Sequence, residues 1–153
     1  MSEPTIYEFI GGQDALRRLA EAHYRRCVTD PVLSQVFGTE PRPEHAVHLA
    51  DWLGEVFEGP ATYTAEHGGH EALLLHHAGK HITEEQRAAF VTAFVEAADE
   101  TGVPDDPHLR ARLTSYLEWG TRIAKDVSEA DASDISSSDP VPTWGWREDQ
   151  SPA

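Results

Sequence analysis

The sequence predicts an all-α protein, and three observations carry that prediction. Apolar residues recur at intervals of three and four along several segments, the period of one helix face. No run of β-branched residues alternates with polar ones, so strands have little support. Helix punctuation is dense: Asp-Pro at 30–31 and 106–107, a Thr-Glu-Glu-Gln capping sequence at 83–86, and glycines closing the periodic runs.

The elements follow in order. After Gly11-Gly12, Leu16, Leu19, Ala20, Tyr24 and Cys27 form one face of a helix running roughly from Asp14 to Thr29. Asp30-Pro31 reads as an N-cap followed by proline at the first helical position, with a short turn of helix through Leu33 to Phe37. Pro41 and Pro43 break the chain and start a helix whose face is His45, Leu49, Trp52, Leu53 and Val56, ended by Gly59-Pro60. The content of Gly, Pro, Thr and Tyr from Pro60 to Gly69 predicts an ordered loop, and a short helix follows over about His70 to His77. Thr83 and Gln86 form a capping box for a helix carrying Phe90, Val91, Phe94, Val95 and Ala98, ended at Gly102. Asp106-Pro107 caps the last helix, striped by Leu109, Leu113, Tyr116, Leu117, Gly120, Ile123, Ala124 and Val127.

Length and charge bound what such a bundle does. The chain has 153 residues, enough for one domain with a sizeable core. Twelve Lys+Arg stand against 27 Asp+Glu, a formal net charge of −15. Nucleic acid and anionic membrane surfaces call for basic patches and are disfavoured as partners. A single cysteine, Cys27, excludes an internal disulfide framework and fits a reducing cytosol. Met1 to Pro4 carries Glu3 in place of a basic run, so no signal peptide is expected, and no segment approaches the about 20 apolar residues of a membrane span. A cytoplasmic location is the expectation.

The composition changes near Ala130. Residues 1–129 form the expected folded domain, and residues 130–153 an acidic tail rich in Ser and Pro, with five acids against Arg147. Such a tail is expected to be disordered or loosely docked. The segment Val141 to Trp146 is unusual in holding two tryptophans, Trp144 and Trp146, which suit a groove of this domain or of a partner.

The richest chemistry lies in His67-Gly68-Gly69-His70-Glu71-Ala72-Leu73-Leu74-Leu75-His76-His77-Ala78-Gly79-Lys80-His81, which holds five of the nine histidines. A neutral imidazole offers a lone pair to a transition metal or a heme iron. Leucines beside it suit an apolar planar cofactor better than a hydrated ion. Tyr24, His45 and Leu49 fall on inward helix faces. With a histidine ending the short helix, they make the arrangement of a heme pocket.

The chain resembles the truncated hemoglobins, specifically group II. The matching pieces are Tyr7-Glu8-Phe9-Ile10-Gly11-Gly12, His23-Tyr24 ahead of Asp30-Pro31 and Phe37, and Glu55-Val56-Phe57-Glu58-Gly59-Pro60. Further on come Tyr63, Glu66-His67-Gly68-Gly69-His70, His77, and Ile82-Thr83 leading to Gln86-Arg87. The resemblance spans roughly residues 5 to 128. It implies a globin-like two-over-two helical sandwich around heme b, iron protoporphyrin IX.

By the same resemblance His77 is the iron ligand, its Nδ1–H expected to donate to a nearby backbone carbonyl. Tyr24 is the hydroxyl donor to an iron-bound ligand. His45 occupies the distal position and lines the pocket. His48 stands at the pocket mouth near a propionate, and His76 is a propionate partner. Phe37, Leu49 and Trp52 cover the heme. Phe90 departs from the pattern, because group II members carry tryptophan there; phenylalanine keeps the ring and loses the N–H donor. Faster ligand dissociation is expected.

The implied function is reversible binding of dioxygen and other diatomic ligands, for binding, transport, scavenging or sensing. Nitric oxide dioxygenase or peroxidase-like detoxification on the same heme is the alternative. An unidentified reductase is the expected electron source, since no nucleotide-binding fingerprint is present. Oligomeric state is open, a homodimer among the options. A zinc site on His67, His70, His77 and His81 is a third reading, without a thiolate or clear carboxylate pair to complete it. A helical interaction module using the Trp144 and Trp146 tail is the fourth.

Overall fold

The computed structural model describes residues 3–40 and 42–152. Pro41, expected to break the chain together with Pro43, lies outside the described residues, as do Met1 and Ser2. Among the described residues the fold is all-helical: α1 (Ile6–Ile10), α2 (Gly12–Thr29), α3 (Ser34–Phe37), α4 (Pro43–Val56), α5 (Thr62–His67), α6 (Gly69–His77), α7 (Glu84–Glu100) and α8 (Pro107–Val127).

The caps of α7 and α8 are where the sequence puts them, whereas Asp30-Pro31 does not start a helix. Asp30 is the C-cap of α2, its carboxylate accepts from the Val32 and Leu33 amides in the following turn, and α3 begins only at Ser34 behind Leu33. Thr83 and Gln86 close a reciprocal capping box on α7, and the Asp106 carboxylate accepts from the Leu109 amide with Pro107 at the start of α8. One further expectation is corrected and one element is added. Residues 62–67 of the expected loop are the helix α5, and residues 6–10 form α1 behind a Thr5–Glu8 capping box. Both are too short to show a periodic stripe. Tertiary bonds hold them: the Tyr7 amide donates to Phe57 O (3.2 Å), and the Thr64 amide to Glu55 Oε1 (2.9 Å).

Two helix pairs make the body. α2 packs on α4, α7 packs on α8, and α2 against α7 joins the layers. The core runs along that seam through Leu16, Leu19, Ala20, Cys27, Ala50, Leu53, Val56 and Ala97. Burying each large aliphatic there contributes roughly 1.5–3 kcal/mol, which is why α2, mostly polar by composition, is fixed by one apolar face. α5 and α6 are satellites, α5 touching α4 and α6 touching α8. At Gly59 a Cβ would come within 2.5 Å of the Tyr7 ring, so only glycine lets the loop after α4 close over α1.

The tail is docked. Val141 and Trp144 are buried, and the Trp144 amide donates to Val56 O (2.8 Å) at the end of α4. Arg112 of α8 holds the segment from below. It donates to Gly145 O (2.8 Å), to Arg147 O (3.1 Å) and to Ser151 Oγ, and its guanidinium lies 4.9 Å from the Trp144 ring centroid. The Trp146 indole donates to Pro4 O (2.7 Å) and its ring meets Phe9 edge-on. Of the disordered and the docked expectations for the tail, the structure has the docked one, with both tryptophans on this domain; Ala153 lies outside the described residues.

Candidate functional site

α6 starts from Gly68 and Gly69, both with positive φ (94° and 71°), a conformation cheap for glycine and costly for other residues. That turn aims α6 across the end of the bundle and brings His77 inward at its last turn. Nδ1 of His77 lies 2.8 Å from Leu73 O. A carbonyl only accepts, so the ring proton sits on Nδ1 and Nε2 keeps its lone pair. Burial lowers the pKa of His77 below the ordinary 6.5, the Leu73 bond opposing and His76 and Lys80 reinforcing. The ring is neutral at pH 7, the state a metal requires.

A cavity of about 40 Å³ opens beside His77. Trp52, Leu73, Tyr116, Trp119, Ile123 and Pro142 are among the residues that line it. The Trp52 indole donates to Tyr116 Oη (2.6 Å), fixing the plane of Trp52. Leu49, one turn before it on α4, packs partly buried against the core.

A second group gathers rings from four helices. The Tyr24 ring of α2 lies 5.2 Å from His45 of α4 and 6.4 Å from Phe37 of α3. Phe37 stacks on Phe90 of α7 at 6.1 Å. The Tyr24 hydroxyl accepts from the Arg42 amide (2.9 Å), while its own O–H reaches only a distant acceptor, Glu40 O at 3.4 Å. Its proton is therefore weakly held and can turn to a better acceptor. Burial lowers the pKa of His45, with Glu44 opposing.

A third group lies along α4 and α5. His48 sits 4.3 Å from the His67 ring and 5.9 Å from that of His76. Burial lowers the pKa of His48, and its two neighbours add to the effect. His67 Nε2 donates to Asp51 Oδ2 (2.8 Å), and Gln13 donates to the other Asp51 oxygen (2.9 Å).

The residues singled out in the sequence thus fall into three places: His77 and Trp52 at the cavity, Tyr24, Phe37, His45 and Phe90 in the ring cluster, and His48 with His76 at an outer edge. The four zinc-candidate histidines do not converge. His67 turns to Asp51, His70 to Ser137 Oγ, His77 to Leu73 O and His81 to Glu129. Among the described residues the one metal-compatible group is Asp51, Glu66 and His67. Its Asp51 is already satisfied by Gln13 and His67.

Sequence reasoning missed His23 and the Asp51–His67 pair. His23 is buried, donates from Nε2 to Phe90 O (3.2 Å), and so fixes the backbone that carries the Phe90 ring. Its place between Leu19 and Cys27, four residues from each, was the available signal. Asp51 sits beside Trp52 with no periodic partner in sequence, and only the fold brings His67 to it.

Comparison with known proteins is consistent with this layout. The family described as bacterial-like globin matches residues 5–119. The group 2 truncated hemoglobin YjbI of Bacillus subtilis is 32% identical over 128 residues, covering 82% of this chain and 91% of the relative. The group 1 truncated hemoglobin GlbN of Nostoc sp. is 30% identical over 99 residues, 65% of this chain and 80% of the relative. The crystal structure of the group II truncated hemoglobin from Bacillus anthracis superposes with a TM-score of 0.73 at 28% identity, over 81% of this chain and 92% of that one. The thermostable hemoglobin from Thermobifida fusca gives 0.70 at 31%, over 82% and 100%.

Proposed function

The chain belongs to the bacterial-like globin family, among its group II truncated hemoglobins, and on that premise we propose that it is a heme b protein that reversibly binds dioxygen and other diatomic ligands. The family implies heme and small gaseous ligands. The observation that carries the reading to this chain's residues is the His77 ring, with its proton committed to Leu73 O and a bare Nε2 beside an apolar, aromatic-lined cavity. When bound, the group supplies an iron on which a diatomic ligand is held reversibly.

The protein's own side chains do the rest. His77 would hold the iron and stay neutral. Trp52, Leu49, Phe37 and Phe90 would exclude water from the two faces. Tyr24 would turn its hydroxyl proton from Glu40 O toward a ligand, with His45 beside it as a second donor. Exposed His76 and half-buried His48 would meet the propionates, where full charge is tolerated in solvent. An external reductase would keep the iron ferrous, and the buried lone Cys27 suits a cytoplasmic setting. Nitric oxide dioxygenase or peroxidase activity is the second reading, favoured by His45 lying against Tyr24, where a neutral imidazole can relay a proton.

Optical spectra of the hemin-loaded chain in ferric, ferrous and oxygenated forms test the first reading, with His77→Gly as the comparison. An intense heme band with a stable oxygenated spectrum is expected from the parent, and loss of both, restored by added imidazole, from the variant. A parent that takes up no hemin, or a variant with unchanged spectra, would refute it. Rapid mixing of the oxygenated form with nitric oxide, and of the ferric form with peroxide, decides the second.

A further inference from the structure

Pro142 is a wall residue of the cavity beside His77, yet it belongs to the tail, beyond the residues matched by the globin family. The tail reaches that place by a continuous set of contacts. Trp144 is buried with its amide on Val56 O, and its ring lies 5.5 Å from Tyr116 and 5.6 Å from Trp119. Tyr116 and Trp119 line the same cavity, and Tyr116 holds the Trp52 indole. The path from strap to pocket is therefore Trp144, Tyr116, Trp52, each step a direct contact.

The anchor beneath is costly to leave unmet. Burial lowers the pKa of the Arg112 guanidinium, and among the described residues its hydrogen-bond acceptors all lie in the tail: Gly145 O, Arg147 O and Ser151 Oγ, with the Trp144 face alongside. A cation desolvated under a tail that came and went would lose all of these together. The tail is thus held in place by α8, and its buried end faces the pocket.

We propose that residues 141–144 are a working part of the heme pocket, a strap that closes its His77 side and sets how long heme is retained. The proposal rests on the heme reading above. It commits the strap to this chain's own pocket in place of a partner groove.

Transfer of hemin from the loaded full-length protein to an excess of a hemin-scavenging apoglobin tests it, together with the ferrous iron–histidine stretching band. Trp144→Ala should speed hemin loss by about tenfold, since it removes the packing behind the wall residues Tyr116 and Trp119, and Pro142→Gly by about threefold, since it removes part of the wall itself. Both should shift the iron–histidine band. Trp146→Ala serves as the control. It loosens the tail beyond the strap, where the indole donates to Pro4 O and His108 Nε2 donates to Trp146 O, and Trp146 is not among the cavity's lining residues. It should leave both readouts unchanged.

Hemin loss from Pro142→Gly and Trp144→Ala at the parent rate overturns the strap. Equal acceleration by Trp146→Ala also overturns it, because that reports general tail stability. If Trp144→Ala loses its helical circular dichroism, Pro142→Gly decides alone. A parent that binds no hemin sinks the heme reading and the strap together, whereas a hemin-binding parent with unaffected variants sinks only the strap.

Discussion

At the scale of single residues the decisive choices concern where protons sit. Tyr24 keeps a weakly engaged O–H, and Phe90 has no N–H to share the task. Tyr24→Phe should therefore speed dioxygen dissociation by about tenfold, the loss of a hydrogen bond of about 1–1.5 kcal/mol, measured by stopped-flow displacement. Phe90→Trp restores a donor and should slow dissociation by a similar factor. The reverse order would remove Tyr24 from the ligand side. His23 makes a different prediction. Burial is the main reason its imidazole is held down at about 4 against an ordinary 6.5, with Arg26 reinforcing and the Phe90 carbonyl opposing. Between those pH values the unfolded chain binds more protons than the folded one, so stability is full above pH 6.5 and declines as pH falls toward 4. The loss attributable to His23 is about 3 kcal/mol. Urea denaturation at pH 7 and pH 4.5 should show a smaller acid loss in His23→Gln, which keeps a donor for Phe90 O without the titration.

At the scale of elements, the long helices and the short ones obey different rules. α2, α4, α7 and α8 were legible because each carries enough apolar repeats to define a face, and because Thr83 and Asp106 mark starts with side-chain chemistry that needs no tertiary partner. α1 and α5 offered no such stripe. α1 is tied down by the Tyr7 amide on Phe57 O, far along the chain, and α5 by the Thr64 amide on Glu55, nine positions back and beyond the reach of a helical i, i+4 pattern. α6 depends on its turn. Gly68→Ala would impose a Cβ at φ +94°, 2.9 Å from the Ala72 Cβ, at a cost of about 1–2 kcal/mol. The expected result is a lower thermal midpoint and weaker hemin uptake together, since the same turn aims His77. A lower midpoint with unchanged uptake would mean that α6 finds its place without the turn.

At the scale of the whole molecule, charge is the dominant long-range term. A net −15 repels itself across a small body, while the solvent-exposed pairs of Arg25 and Arg26 with Glu100 are screened by water and contribute little. Added potassium chloride screens both, and the repulsion is the larger, so the denaturation midpoint should rise between low and physiological ionic strength. A falling midpoint would show that the ion pairs, with Arg87 between Glu84 and Glu118 foremost, outweigh the net charge.

Helical class, the long helices and the caps of α7 and α8 were readable from the chain alone, because these follow from periodicity and local hydrogen bonding within a few residues. The leucines and flanking glycines also drew attention to the His76-His77 pair, and the resemblance to the truncated hemoglobins selected His77 within it. Tertiary structure alone decided that His23 supports Phe90, that Asp51 takes His67, and that Trp144 and Pro142 close against α4, α6 and α8. Those contacts join residues separated by 16 positions in the Asp51–His67 bond and by 67 in the His23–Phe90 bond. No local pattern encodes such pairings; they form when burial of the shared core brings distant helices within bonding range.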